Sequence, residues 1–152
     1  MNDWDCIFCK IISGEIPSVK IWEDEDFLAI LDGFPNCRWQ ALVMTKHHFD
    51  SDIFLLEIDL YSRYLLAVKK VVEILKTWLK VQKIGLVMEG LWVNHAHFKL
   101  YPMHGVTGEW KANVWWQEVF FDQYPGYLTS EMGPQADREE LKKIAEEIIG
   151  NT

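Results

Sequence analysis

No stretch of the chain approaches the ~20 consecutive apolar residues that a membrane-spanning helix needs, so no membrane partner is expected. Cysteine is scarce: three residues, an odd count, which argues against a disulfide framework and for a reducing compartment. Basic residues are in deficit. Lys plus Arg is 15 and Asp plus Glu is 23, a formal net charge of −8, which disfavours a sequence-independent grip on nucleic acid. The opening Met1-Asn2-Asp3-Trp4-Asp5 is acidic and has neither the basic start nor the apolar stretch of a secretory signal, so a cytoplasmic protein is expected. Internal repeats and low-complexity linkers are also lacking.

What is present is ordinary globular material. Hydrophobic residues make up 49% and charged residues 25% of 152 residues, enough for one self-supporting core. Eight tryptophans are many for this length, and they suit either a core or a stacking surface.

The pattern reads as one α+β domain over residues 1–152, with a core at about 5–104 and an extension at about 105–152. Val19 to Glu23 alternates at period two, the acidic run Glu23 to Asp26 turns, and Phe27 to Leu31 returns as a second strand. Gln40 to Thr45, Ile84 to Met88 and His95 to Tyr101 are three further strands. Tyr61, Leu65, Val68, Val72, Leu75 and Leu79 step by four and three, the stripe of one long helix. Five short strands and one helix predict an antiparallel sheet with the helix on one face. The extension is aromatic and without clear period between Gly105 and Thr129. It then offers a capping box at Asp137-x-x-Glu140, a helical face of Leu141, Ile144, Ala145 and Ile148, and a stop at Gly150. Trp110, Trp115, Trp116 and Tyr124 are candidates for lining a pocket or a subunit contact.

Two segments carry chemistry. In His95-Ala96-His97-Phe98-Lys99-Leu100-Tyr101, strict alternation puts His95, His97, Lys99 and Tyr101 on one face, and Ala96, Phe98 and Leu100 on the other. The second set is a core face. The first is either a functional face or an exposed strand face with incidental histidines. Cys6-Ile7-Phe8-Cys9 is half of a zinc site, a redox pair, or two buried unligated thiols. The redox reading wants a strand before the motif, and nothing precedes this one. A zinc site needs two more donors, and the remaining soft donors are His47, His48, His95, His97, His104 and Cys37.

Together these stretches resemble the histidine triad nucleotide-binding superfamily, in its zinc-bearing microbial branch. Cys6 to Pro17 resembles the family's opening, Trp22 to Asp32 its hairpin, Leu42 to His48 its third strand with the following histidine, and His95 to Tyr101 its triad strand. The order and spacing of the four agree over about residues 5–104. The resemblance implies that His97 is a nucleophile attacking the α-phosphorus of a nucleotide, in a hydrolase or nucleotidyltransferase that passes through a nucleotidyl-histidine. It implies a structural zinc held by Cys6, Cys9, His48 and His95, with His47 as the alternative to His48. Asp32 would hold ribose hydroxyls, and Ile7, Phe8, Ile11 and Ile30 would form the base pocket. The implied partners are a nucleotide or nucleotide conjugate and a second copy of the chain, paired through the long helix and the fourth strand. Three positions depart from the family pattern. Lys99 replaces the third histidine, where an ammonium still offers charge to a phosphate. Met88 replaces an asparagine, and the loop before the triad is shortened to Glu89-Gly90-Leu91-Trp92. The competing reading is a non-catalytic nucleotide-binding or scaffold domain that keeps the zinc.

Overall fold

The computed structural model describes residues 5–106 together with residues 120, 121, 128, 134–137, 139 and 144. The chain divides into two compact units, Met1–Trp110 and Lys111–Thr152.

The first unit is built on a five-stranded antiparallel sheet. Its strands are β1 (Lys20–Glu23), β2 (Phe27–Leu31), β3 (Ala41–Thr45), β4 (Ile84–Val87) and β5 (His97–Pro102), in the order β1-β2-β3-β5-β4. Helix α1 (Ile7–Ile12) precedes the sheet, and helix α2 (Ile58–Leu79) joins β3 to β4 after a short 3-10 turn at Ile53–Leu55. This is the α+β fold expected, with one helix that periodicity did not announce. α1 has six residues and no side-chain cap. A helix that short does not persist on its own, so packing must hold it.

Both sheet faces are covered, and the alternation of side chains sorts them. Phe27, Ala29, Ala41, Val43, Phe98 and Leu100 pack with Tyr64, Ala67, Val68, Val71 and Leu75 of α2. Leu28, Ile30, Leu42 and Met44 point the other way and pack with Cys6 and Phe8. This accounts for the unbroken apolar runs of β2 and β3: strands buried on both faces show no polar alternation.

Two expectations are corrected. The buried stripe of α2 is centred on Tyr64, Ala67, Val68, Val71 and Leu75, whereas Leu65 is exposed and Tyr61, Val72 and Leu79 lie at the margin. The reason is Tyr64. Its hydroxyl donates to the carbonyls of Val43 (2.7 Å) and Ala96 (3.1 Å), so a residue with a polar tip takes the centre of the seam. In β1 the pairing shifts between Lys20 and Trp22, and the irregularity lets Ile21 and Trp22 both pack against the α2-side core.

In the second unit, Glu139 and Ile144 are helical, and the Glu139 amide donates to Asp137 Oδ1 at 2.9 Å, the bond of an N-cap. Phe120, Phe121, Leu128 and Ile144 are exposed. The expectations on Trp110, Trp115, Trp116, Tyr124, Glu140, Leu141, Ala145, Ile148 and Gly150 fall outside the described residues. Among the described residues no helix is long and apolar enough to cross a membrane.

Candidate functional site

The site forms where the ends of β3 and β5 meet α1. Regular strand geometry in β5 begins only at His97. Asn94 and Ala96, just before it, are nevertheless stitched to the end of β3 and the segment that follows. The Thr45 amide donates to the Ala96 carbonyl (3.3 Å), the Ala96 amide to Phe49 (3.0 Å), and the Ser51 amide to Asn94 Oδ1 (2.9 Å). These bonds bring His48 beside His95, with ring centroids 5.0 Å apart.

Cys6, Cys9, His48 and His95 each present one donor atom, and all four atoms lie within 4.8 Å of one another. His95 Nδ1 is 3.4 Å from Cys6 Sγ and 3.6 Å from Cys9 Sγ, and His48 Nδ1 is 3.3 Å from Cys9 Sγ. A tetrahedral ion with Zn–S of ~2.3 Å and Zn–N of ~2.0–2.1 Å has an S···N edge of about 3.6 Å. The donor spacing therefore suits such an ion. The tautomer suits it too: His95 Nε2 donates to the Thr45 carbonyl at 2.8 Å, which leaves Nδ1 with its lone pair toward the sulfurs. His47, the alternative ligand, is exposed and outside the cluster. Adjacent residues present opposite faces, and the stitching selects the second.

His97 is buried, at 3% exposure, as is His95. The reading of this face as an exposed strand with incidental histidines is thereby corrected. The imidazoles are sheltered by Phe8, whose ring meets His97 edge-on at 4.9 Å and His95 at 5.7 Å. His97 Nδ1–H donates to the His95 carbonyl at 2.7 Å, which fixes Nε2 as the unprotonated nitrogen. Burial lowers the His97 pKa and the neighbouring Lys99 charge lowers it further. The His95 carbonyl, Asp32 and Glu89 oppose the shift without reversing it. The ring is therefore neutral near pH 7.

Beside it opens a cleft of about 460 Å³ between α1 and the edge of β2. Ile7, Phe8, Ile11, Ile30 and Asp32, the five residues expected to bind substrate, all line it, with Leu42, Val19 and Phe34. His97 is outside its lining and adjoins it through Phe8, whose ring it meets edge-on. Asp32 is oriented by the Phe34 amide on Oδ1 (2.8 Å) and by Gln40 Nε2 on Oδ2 (2.5 Å). A carboxylate accepts about four hydrogen bonds, so capacity for hydroxyl groups remains.

Lys99 sits on β5 facing the same way as His97, but not as a lone cation. Its Nζ is 3.6 Å from Glu89 Oε2. Reading the sequence found neither this pair nor the roles of Gln40 and Thr45 in orienting Asp32 and His95. The only signal for Gln40 and Thr45 was that each is a polar residue flanking an apolar strand.

Comparison with known proteins bears on this geometry. The pattern of the HIT domain matches residues 13–105. The chain belongs to the HIT family. It is 39% identical over 109 residues to an uncharacterised HIT-like protein of Methanocaldococcus jannaschii, covering 68% of this chain and 83% of that one. It is 32% identical over 145 residues to a protein of Schizosaccharomyces pombe named adenosine 5′-monophosphoramidase, covering 94% and 95%. Among solved structures, a protein of Streptococcus mutans superposes with a TM-score of 0.71 at 28% identity, over 99% of this chain and 86% of that one. Two of the corresponding expectations, the family and its α+β sheet, are met. The HIT-family chain holds its four-donor cluster between α1 and the ends of β3 and β5, with the buried His97 imidazole at the start of β5.

Proposed function

We propose that this HIT-family chain is a nucleotide hydrolase that acts at the α-phosphorus through His97. The observation that carries the reading is the bond from His97 Nδ1–H to the His95 carbonyl, which leaves Nε2 as the unprotonated nitrogen of a ring that adjoins the cleft through Phe8. The nucleoside lies in the cleft, its base among Ile7, Phe8, Ile11 and Ile30, its ribose hydroxyls on Asp32. His97 Nε2 gives its electron pair to phosphorus. The bond from phosphorus to the leaving group breaks, and its pair stays on the leaving atom, which takes a proton from water. A water oxygen then bonds to phosphorus, releases its proton, and returns the P–N pair to Nε2. Lys99 supplies charge to the non-bridging oxygens. The resemblance to an adenosine 5′-monophosphoramidase supports a phosphoramidate as substrate and adenine as base.

The cluster of Cys6, Cys9, His48 and His95 would hold zinc as a closed, structural ion that ties α1 to the catalytic strand. All four positions are taken by protein, so the ion would supply order and no open coordination site. A reducing, cytoplasmic setting keeps such thiols available. A second copy of the chain would pair along β4, an edge strand with Leu86 exposed, and along α2, where Leu65 and Leu66 are exposed. The test of the activity is release of ammonia from adenosine 5′-phosphoramidate: the parent protein turns it over, and His97→Ala does not. Equal turnover in the two would remove His97 as the nucleophile, and no turnover by the parent would replace the hydrolase by a binding domain.

A further inference from the structure

Glu89 follows β4, and its carboxylate reaches Lys99 with both side chains largely withdrawn from solvent (11% and 22% exposed). Lys99 and His97 are two residues apart on one strand and face the same side of the sheet. Glu89 is thus on the His97 side as well. The register agrees: Val87, the last residue of β4, pairs with Lys99, and Glu89 follows two residues later.

The strand order now gives a direction across that face. Ile30 and Asp32 belong to β2 and its end, Leu42 to β3, His97 to β5, and Glu89 to the segment after β4. With the nucleoside at β2 and the α-phosphate at His97, the leaving group extends toward β4. It meets a carboxylate there. In that pose Lys99, on the strand of His97, would face the phosphate, and Glu89, beyond it in strand order, would face the leaving group.

Resting on the hydrolase reading above, we propose that Glu89 is a specificity-determining residue that selects leaving groups carrying an ammonium and rejects those carrying negative charge, further phosphates included. The preferred substrate class is a nucleotide joined through a P–N bond to an amine that bears a second, protonated amino group. When that bond breaks, its electron pair stays on the departing nitrogen, which takes a proton from water, and the distal ammonium does not change. A polyphosphate leaving group places its charge against Glu89. At an effective dielectric of ~20, two unit charges about 6 Å apart change a rate ratio by roughly 10- to 100-fold.

The test uses three adenosine 5′-phosphoramidates of matched size, made from ethylenediamine, propylamine and β-alanine, whose distal ends are cationic, neutral and anionic. In the parent protein kcat/KM should fall in that order, with the cationic conjugate at least 10-fold above the anionic one. Glu89→Gln should collapse the ratio to within about threefold, Glu89→Asp should retain it, and added salt should compress it. Equal kcat/KM for the three conjugates in the parent overturns the proposal with no variant needed, and leaves the hydrolase reading standing. So does a ratio unaltered in Glu89→Gln. Failure of the parent to turn over any conjugate overturns both.

Discussion

Cys6→Ser takes one thiolate from the four-donor cluster, and the consequence for α1 can be sized. The helix has six residues, and fixing that much backbone costs about 6–12 kcal/mol. Burial of Phe8 returns about 2–3 kcal/mol, and Cys6 with the partly buried Cys9, Ile11 and Ile12 about as much again. A few kcal/mol remain for the cluster to supply. Its connection of positions 6 and 95 is of the right size, since a cross-link closing so long a loop is worth about 4–5 kcal/mol. Loss of the cluster should therefore release α1 while the sheet and α2 stay folded. Native-state hydrogen exchange reads this at two helix amides, Lys10, which donates to Cys6, and Ser13, which donates to Cys9. In Cys6→Ser, or in the parent after chelation, both should exchange on the order of 100-fold faster, with the amides of β3 and β5 unchanged. Unaltered protection at Lys10 and Ser13 would refute the reasoning, since α1 would then owe its order to apolar packing alone.

Three other substitutions probe the frame around the site. Tyr64→Phe keeps the ring and removes the hydroxyl that holds the Val43 and Ala96 carbonyls, so the urea midpoint should drop by the equivalent of about 1–3 kcal/mol at constant slope. Gly90→Ala forces a side chain onto a backbone at φ +72° and sets its Cβ 2.5 Å from Ser51 Cβ; thermal denaturation should show a loss of about 2 kcal/mol or more, partly recovered by adding Ser51→Gly. Lys99→His should retain part of the hydrolysis at low pH and lose it as pH rises through the ordinary histidine range, because imidazole supplies the positive charge only when protonated; a flat pH profile would count against Lys99 as a charge on the phosphate.

The hairpin β1–β2, strand β3 and the core face of β5 were legible because local alternation and an acidic turn specify them. α1 was not legible, because Ile7-Phe8-Cys9-Lys10-Ile11-Ile12 has neither cap nor amphipathic period and becomes helical only against Leu28, Ile30, Leu42 and Met44. The centre of α2 was misplaced by one residue for a similar reason: what buries Tyr64 is a pair of carbonyls on two distant strands. The cluster of Cys6, Cys9, His48 and His95 and the cleft residues were reached through the resemblance to the histidine triad superfamily, and the fold brings each set together. Spacing could not choose between His47 and His48, a choice made by the bonds that join residues 45–51 to 94–96. The Lys99–Glu89 pair had no local signature, because its two members meet only through the pairing of β4 with β5.

The central claim is that His97 Nε2 bonds to the α-phosphorus. Its most direct test is to mix the protein with adenosine 5′-phosphoramidate, quench under alkaline denaturing conditions that preserve P–N bonds, and locate any adduct by mass spectrometry. The account predicts an adenylyl group on the peptide containing His97, absent from His97→Ala, a variant that still binds metal because His97 lies outside the four-donor cluster. An adenylyl group on another residue, or turnover by His97→Ala at the parent's rate, would contradict it.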